Sequence, residues 1–426
     1  MKKIDLKRCN IINTLLFMTV FFIPYTKFRI VGLKISEILM MLLIILKLVS
    51  NKIKINKKED AGLAVIAFSI VITSSAILSF FDPINQYTYG QAGSIFYSFE
   101  YGWVLKIVRL IIVFLFMQSV MDFCKTESKL RLICSIYVSS NVIVDFIVIG
   151  KRITQSDLVI GVTRTAAMAV EPAEAGFINS MAIIYAAFLF LSSEKCKERK
   201  IAIVSACVLI IGQLVIGSTG SLVAVGPAAA IAACVYLKKK KEKAGVKLLE
   251  FGTIALIGIC ALIFLVEKTS VFSKISRYKV YLEIPGSSVA ERLGAITTCL
   301  AMFRERPLLG VGFGNYGWYI DHFITTNLYY YAPGGAFQPN NQYFQLLAEL
   351  GIVGFVIYSI FVLKVFQSIV KVIRRKTQRS LLYGTFSLCM WIYLMIHNMT
   401  LPTLFSFQFW MVCAFVEQTT RIRKYD

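Results

Sequence analysis

The sequence predicts an all-α polytopic integral membrane protein with about twelve transmembrane helices and one large extracytoplasmic loop, and three observations carry that expectation. Hydrophobic residues make up 57% of the 426 and charged residues only 16%, against about 25% charged in ordinary soluble chains. Apolar runs close to the roughly 20 residues that cross a bilayer recur along nearly the whole chain. One long polar interruption stands out, residues 267–345. A soluble multi-domain enzyme is thereby excluded, because this much apolar surface needs lipid as its solvent.

The elements follow in order. Lys2, Lys3, Lys7 and Arg8 precede the apolar stretch from Ile11 to Pro24. Without a small-residue cleavage site this reads as a retained first helix rather than a secretory signal. Apolar helices are expected at roughly 11–27, 34–50, 62–81, 104–123, 132–150, 176–193, 201–217, 222–237, 249–266, 346–366, 380–398 and 405–420. The chain divides into helices within 1–266, an extracytoplasmic loop with short helices at 267–345, and helices within 346–426. No motif or hydropathy repeat relates the halves.

Net charge is +22, which in a soluble chain would suggest nucleic acid. Here more than half of the 46 lysines and arginines fall at the N-terminus, at 51–61, 124–131, 194–200, 238–248 and 367–379, and at the C-terminus. Those are alternate connections. The positive-inside rule puts them and both termini in the cytoplasm, and the long loop outside a cytoplasmic membrane. The run Lys238 to Lys241 is read as a topology anchor rather than a nucleic-acid patch. Of ten cysteines only Cys299 lies in the long polar loop, so no intrachain disulfide is expected. With His322 and His397 as the sole histidines, no histidine-built metal site and no cofactor are expected.

Polar residues gathered on the outer side point to work at the outer leaflet, where neither ATP nor sugar nucleotides are present, so any reaction there needs a pre-activated substrate. Four stretches supply candidates. In Gly161 to Gly176, Arg164, Glu171 and Glu174 meet the interface. Glu171 precedes Pro172, which disfavours helical geometry, and Glu174 then falls in a first helical turn. A dipole-favoured helix start and a functional acid are equally compatible with it. Ser288-Val-Ala-Glu291 is a capping box that predicts a helix start. Arg292 then sits where the helix dipole disfavours a cation but where free N–H groups and a guanidinium would together hold a phosphate. That helix is expected to end at Arg304-Glu-Arg306-Pro307, before Leu308-Leu-Gly310-Val-Gly312-Phe-Gly314-Asn315, whose alternating glycines permit a close backbone approach, to the membrane-returning loop or to a ligand. Trp318, Asp321, His322 and Tyr329 to Tyr331 suit carbohydrate or an interfacial aromatic belt alike. In Asn340-Asn341-Gln342 onward, Gln342, Gln345 and Glu349 form one polar stripe expected to border a cavity. Within the fourth span, Lys106 and Arg109 share a face, either snorkelling outward or lining an anionic cavity.

The chain resembles the O-antigen polymerase and O-antigen ligase superfamily in Arg292, in Arg306 to Asn315, in Asn341-Gln-Tyr-Phe-Gln-Leu-Leu-Ala-Glu-Leu-Gly351, and more loosely in Arg164 to Gly176. The motif likeness covers roughly 160–225 and 290–355, and the topology likeness the whole chain. It departs where ligases carry a histidine before the loop-closing asparagine, since Asn340 stands there, and where Gly217-Ser-Thr219-Gly-Ser221 has threonine in place of arginine. An Arg-x10-Gly spacing fits Arg306 and Gly317 and is nearly met by Arg164 and Gly176. The missing histidine favours a polymerase over a ligase.

The resemblance implies metal-independent glycosyl transfer from an undecaprenyl-pyrophosphate-linked donor to a lipid-linked acceptor, as in O-antigen, capsule or exopolysaccharide polymerisation, with a chain-length regulator as a further partner and no nucleic acid. Arginines would stabilise the departing diphosphate: Arg292 and Arg164 first, Arg306 and Arg109 second. Glu171, Glu174, Asp321 and His322 are the candidate bases, in that order, and Lys106, Asn315, Asn340, Asn341 and Gln345 are further substrate contacts. Ligase-type transfer to another acceptor, a flippase that forms no bond, and an assembly scaffold are the competing classes.

Overall fold

The computed structural model describes residues 2–30, 33–50, 103–154, 166–240, 288–323, 339–375 and 377–421. The expected spans at 62–81 and 249–266, residues 267–287 and 324–338 of the loop, and Arg164 lie outside the described residues. So do the side chains of Asp321 and His322, although their backbone is helical.

The elements are α1 (Lys2–Phe22), β1 (Arg29–Ile30), β2 (Leu33–Lys34), α2 (Ile35–Val49), α3 (Trp103–Phe123), α4 (Glu127–Thr154), α5 (Pro172–Ser192), α6 (Cys196–Ile216), α7 (Thr219–Lys240), α8 (Ser288–Glu305), α9 (Tyr316–Phe323), α10 (Gln342–Ile373), α11 (Gln378–His397) and α12 (Phe407–Arg421). The architecture is helical, with one departure. A two-residue antiparallel ribbon pairs Arg29 with Lys34, too short for periodicity to reveal.

Among the described residues six helices are long and apolar enough to cross a membrane: Glu127–Ile153, Pro172–Ser192, Cys196–Ile216, Gly220–Lys239, Gln342–Ile373 and Gln378–His397. The distribution of side chains fits that reading. Val204 and Val223 are 62% and 68% exposed on the outside of the bundle, whereas Asp145, Asn179, Gln213 and Glu349 are buried inside it. Lipid replaces water as the outer solvent, so polar groups turn inward toward protein partners.

Helices α5 and α6 run in opposite directions, as do α10 and α11. At one end of the bundle Gln342 N–H donates to the Asn398 carbonyl (2.9 Å), and a Cβ on Gly176 would overlap the Ser218 side chain. The starts of α5, α7 and α10 therefore gather with the ends of α6 and α11. At the opposite end Arg131 binds Glu198 and Ser193, and Arg379 binds Glu194 (3.2 Å). These are the basic connections of the sequence. Helix α5 packs on α6, α11 on α7, α3 on α12, and α8 on α10.

Helix starts follow local chemistry. Pro172 occupies the first turn of α5 behind an extended Glu171, where its missing N–H costs nothing. Helix α8 is described from Ser288 onward, and the side chains of the expected capping box, Ser288 and Glu291, lie outside the described residues. Asn341 caps α10 by accepting from the N–H groups of Tyr343 (3.0 Å) and Phe344 (3.3 Å). Helix α10 is not continuous. Gly351 adopts φ +63°, ψ −166°, and the backbone groups freed by this break are taken up by the loop after α8. Ile352 N–H donates to the Pro307 carbonyl (2.8 Å), and Val311 and Gly312 N–H donate to the carbonyls of Ala348 (2.9 Å) and Glu349 (3.0 Å). A Cβ on Gly310 would overlap the Glu349 backbone, and one on Gly351 the Leu308 backbone. The close approach that the alternating glycines predict is thus an approach to α10.

Candidate functional site

Four segments that are distant in sequence enclose one cavity at the end of the bundle where α5, α7 and α10 begin. Its walls are Pro172 and Ala173 of α5, Ser218, Gly220 and Ser221 around the start of α7, Arg292 of α8, and His397 and Thr400 at the end of α11. The enclosed space measures about 20 Å³, room for about one water-sized group. It suits a compact polar group better than a whole oligosaccharide.

The positions of these residues have local causes. Gly217 ends α6 in the left-handed conformation, φ +69° and ψ 26°, which reverses the chain and begins α7 two residues later. Ser218 and Ser221 hydroxyls then hydrogen-bond at 3.0 Å. The first turns of α5 and α7 both present their N–H ends at the cavity, where the partial positive charge of a helix favours an anion. Arg292, half-buried, adds a full positive charge. No carboxylate is among the described wall residues. The cavity is therefore electropositive on three sides.

His397 is the residue that the sequence did not single out. It is 1% exposed and stacks almost parallel on Phe177, ring centroids 4.7 Å apart, and on Tyr393 at 5.6 Å. Neither ring nitrogen has a hydrogen-bond partner among the described residues. A histidine closing an apolar span was the available signal, but its neighbour Arg292 comes from another helix and only the fold pairs them.

The remaining sequence candidates divide into two groups. Glu171 is exposed and adjoins the cavity wall at Pro172. Glu174 points elsewhere: it binds Lys34 (2.9 Å), the Thr26 hydroxyl (2.7 Å) and the Val170 N–H (3.3 Å), fastening α5 to the ribbon that follows α1. Arg306 stands at the far end of α8, about 21 Å along the helix from Arg292 at about 1.5 Å per residue, and is not in the cavity wall. Asn340 is half-buried beside the α10 start. Asn341 adds to its cap a bond to the Met399 carbonyl (3.3 Å), and Asn315 binds the Val311 carbonyl (3.2 Å).

Two expectations need correcting. Lys106 and Arg109 neither snorkel nor line an anionic cavity. Lys106 Nζ lies 3.6 Å from Glu349 Oε1 and donates to the Gly314 carbonyl (3.3 Å), while Arg109 Nε lies 3.1 Å from Glu37 Oε1. Charges in a bundle core are tolerated when paired, and these join α3 to α10 and to α2. The polar stripe of α10 likewise faces protein. Gln342 binds the Tyr358 hydroxyl (2.6 Å) and the N–H groups of Thr403 and Leu404 (2.8 and 2.9 Å), and Gln345 binds Glu349 (3.3 Å). These partners come from α10 itself, from the loop after α11 and from the start of α9.

Among the described residues no group of three or more His, Cys, Asp or Glu is placed to hold a metal. The arrangement is that of a multi-pass membrane protein with an anion-receptive cavity at one end of its bundle. Residues 202–359 match the family model described as O-antigen ligase, in agreement with the resemblance to the O-antigen polymerase and ligase superfamily. The match spans α6 to the middle of α10 and includes Ser218, Ser221, Arg292 and the glycine loop; Pro172, His397 and Thr400 lie outside it. Comparison with curated proteins gives no match.

Proposed function

We propose that the protein is a polysaccharide polymerase of the cytoplasmic membrane. It moves a glycan from an undecaprenyl-pyrophosphate-linked repeat unit onto a second lipid-linked glycan, at the outer face, without metal or nucleotide. The observation that carries the reading is the cavity in which Arg292 meets the first turns of α5 and α7. The family match over 202–359 supports glycan transfer in polysaccharide or O-antigen biosynthesis.

An acceptor hydroxyl attacks the anomeric carbon, the bond from that carbon to the diphosphate oxygen breaks, and the electron pair leaves with the diphosphate. Charge builds on the leaving group, so catalysis depends on donors fixed beforehand where that charge appears. Arg292, the N–H groups of Ala173 and Gly220, and the hydroxyls of Ser218, Ser221 and Thr400, all residues of the cavity wall, would serve as those donors. Arg164 is a further arginine for the diphosphate. Asn340 is a contact for the glycan, beside the α11 end.

The test is reconstitution: purified full-length protein in liposomes, given lipid-linked repeat units alone. A ladder of products differing by one repeat supports polymerisation. A single transfer to a different acceptor lipid supports ligase-type transfer, and translocation without any new glycosidic bond defeats the enzyme reading.

A further inference from the structure

We infer that His397 is the proton acceptor for the attacking hydroxyl, a role that rests on the glycan-transfer reading and gives that reaction the base that no carboxylate of the described cavity wall supplies. The ring is 1% exposed, lines the same cavity as Arg292, and has both nitrogens without a hydrogen-bond partner among the described residues. Such a group is costly to bury unless something meets it there. A neutral imidazole offers one donor and one acceptor nitrogen, and an incoming hydroxyl needs that acceptor.

The geometry restricts how the ring can act. Phe177 and Tyr393 hold its plane to within 8° and 15° of their own, which fixes the orientation of the ring beside the cavity. Preorganisation of this kind is what general-base catalysis requires. Glu174, the alternative acid of the same helix end, is engaged by Lys34, Thr26 and Val170. In the transfer step the hydroxyl oxygen bonds to the anomeric carbon, its proton passes to a His397 ring nitrogen, and the diphosphate leaves with the electron pair of the broken bond. The wall that receives the anion thus also receives the proton, and both products are formed against residues already in place. The imidazolium returns the proton to water as the products leave, before the next acceptor enters.

The experiment uses full-length protein in liposomes and separates binding from chemistry. Donor affinity is measured with the lipid-linked repeat unit, and the single-turnover rate with donor bound to saturation. His397→Gln should keep donor affinity within about threefold and lose the rate by about 100-fold or more, within the range for losing a general base. His397→Ala, assayed with added imidazole, should recover at least about tenfold of its lost rate, which a purely structural role would not produce. A His397→Gln rate within about threefold of the parent protein, or no imidazole recovery, overturns the assignment. Arg292→Gln serves as the separate control on the reading beneath it: unchanged donor affinity there removes the anion cavity, whereas a loss there with active His397 variants removes only the base.

Discussion

Lys106 on α3 lies 3.6 Å from Glu349 on α10, with side chains 6% and 0% exposed, and Glu349 sits two residues before the break at Gly351. The pair fixes the broken helix to its neighbour while the same carboxylate accepts from Gln345 and from the Tyr316 N–H (both 3.3 Å). Removing one partner leaves a charge buried and uncompensated, which costs about 3–5 kcal/mol. Lys106→Met should therefore lower the thermal midpoint in detergent sharply, and adding Glu349→Gln to it should recover most of the loss. Equal destabilisation by the single and double variants would show that the pair carries no coupling.

The docking of the loop on α10 depends on two glycines with positive φ, Gly310 at +70° and Gly351 at +63°. Each would also place a Cβ against backbone, so neither strain nor overlap relaxes by moving a side chain. Gly310→Ala and Gly351→Ala should reduce the yield of monodisperse protein severely. Gly226→Ala, where nothing lies within 4 Å of the added carbon, should behave as the parent. Size-exclusion profiles of the three variants decide it.

Glu174 was a candidate base by position, and its contacts argue for a fastening role. Lys34 and Glu174 side chains are 21% and 22% exposed, so solvent screening reduces what their pairing contributes. Glu174→Gln keeps the Thr26 hydroxyl within reach and should lower the melting temperature by a few degrees. Transfer rate per folded molecule should stay within about twofold. A rate loss without a stability loss would return Glu174 to the chemistry.

Much of the helical framework was legible because its signals are local. The Pro172 start of α5 and the glycine loop both depend on residues within a turn or two of one another, and each appears where the spacing puts it. Partnerships were not legible. Nothing near Lys106 or Arg109 announces Glu349 or Glu37, and nothing near His397 announces Arg292, because those contacts arise from helix packing across distant segments. The polar stripe of α10 shows the same limit from the other side. Periodicity identifies a face that must not meet lipid, but whether protein or a cavity covers it is decided by the loop after α11 and the start of α9.

Thiol labelling tests the arrangement of ends. Cys196 is exposed at the basic end of the bundle, at the start of α6, and Cys299 is buried on α8. Burial, and next the carboxylate of Glu349, push the Cys299 thiol well above its ordinary range, and the thiolate is the reactive form. In single-cysteine proteins at pH 8, Cys299 should resist maleimide until denatured. Cys196 should react with a membrane-impermeant maleimide only in inside-out vesicles, as expected if the basic end is cytoplasmic. Labelling of Cys196 in intact cells would reverse the orientation.

The account turns on the cavity of Arg292 as the seat of a diphosphate, and the most direct measurement is the affinity of purified protein for undecaprenyl pyrophosphate before and after Arg292→Gln. Losing a charge-assisted hydrogen bond to a phosphate oxygen, about 1.5–3 kcal/mol, should weaken binding by roughly 10- to 150-fold, with the weakening greatest at low salt. An Arg292→Gln protein that folds normally and binds undecaprenyl pyrophosphate as tightly as the parent would contradict it.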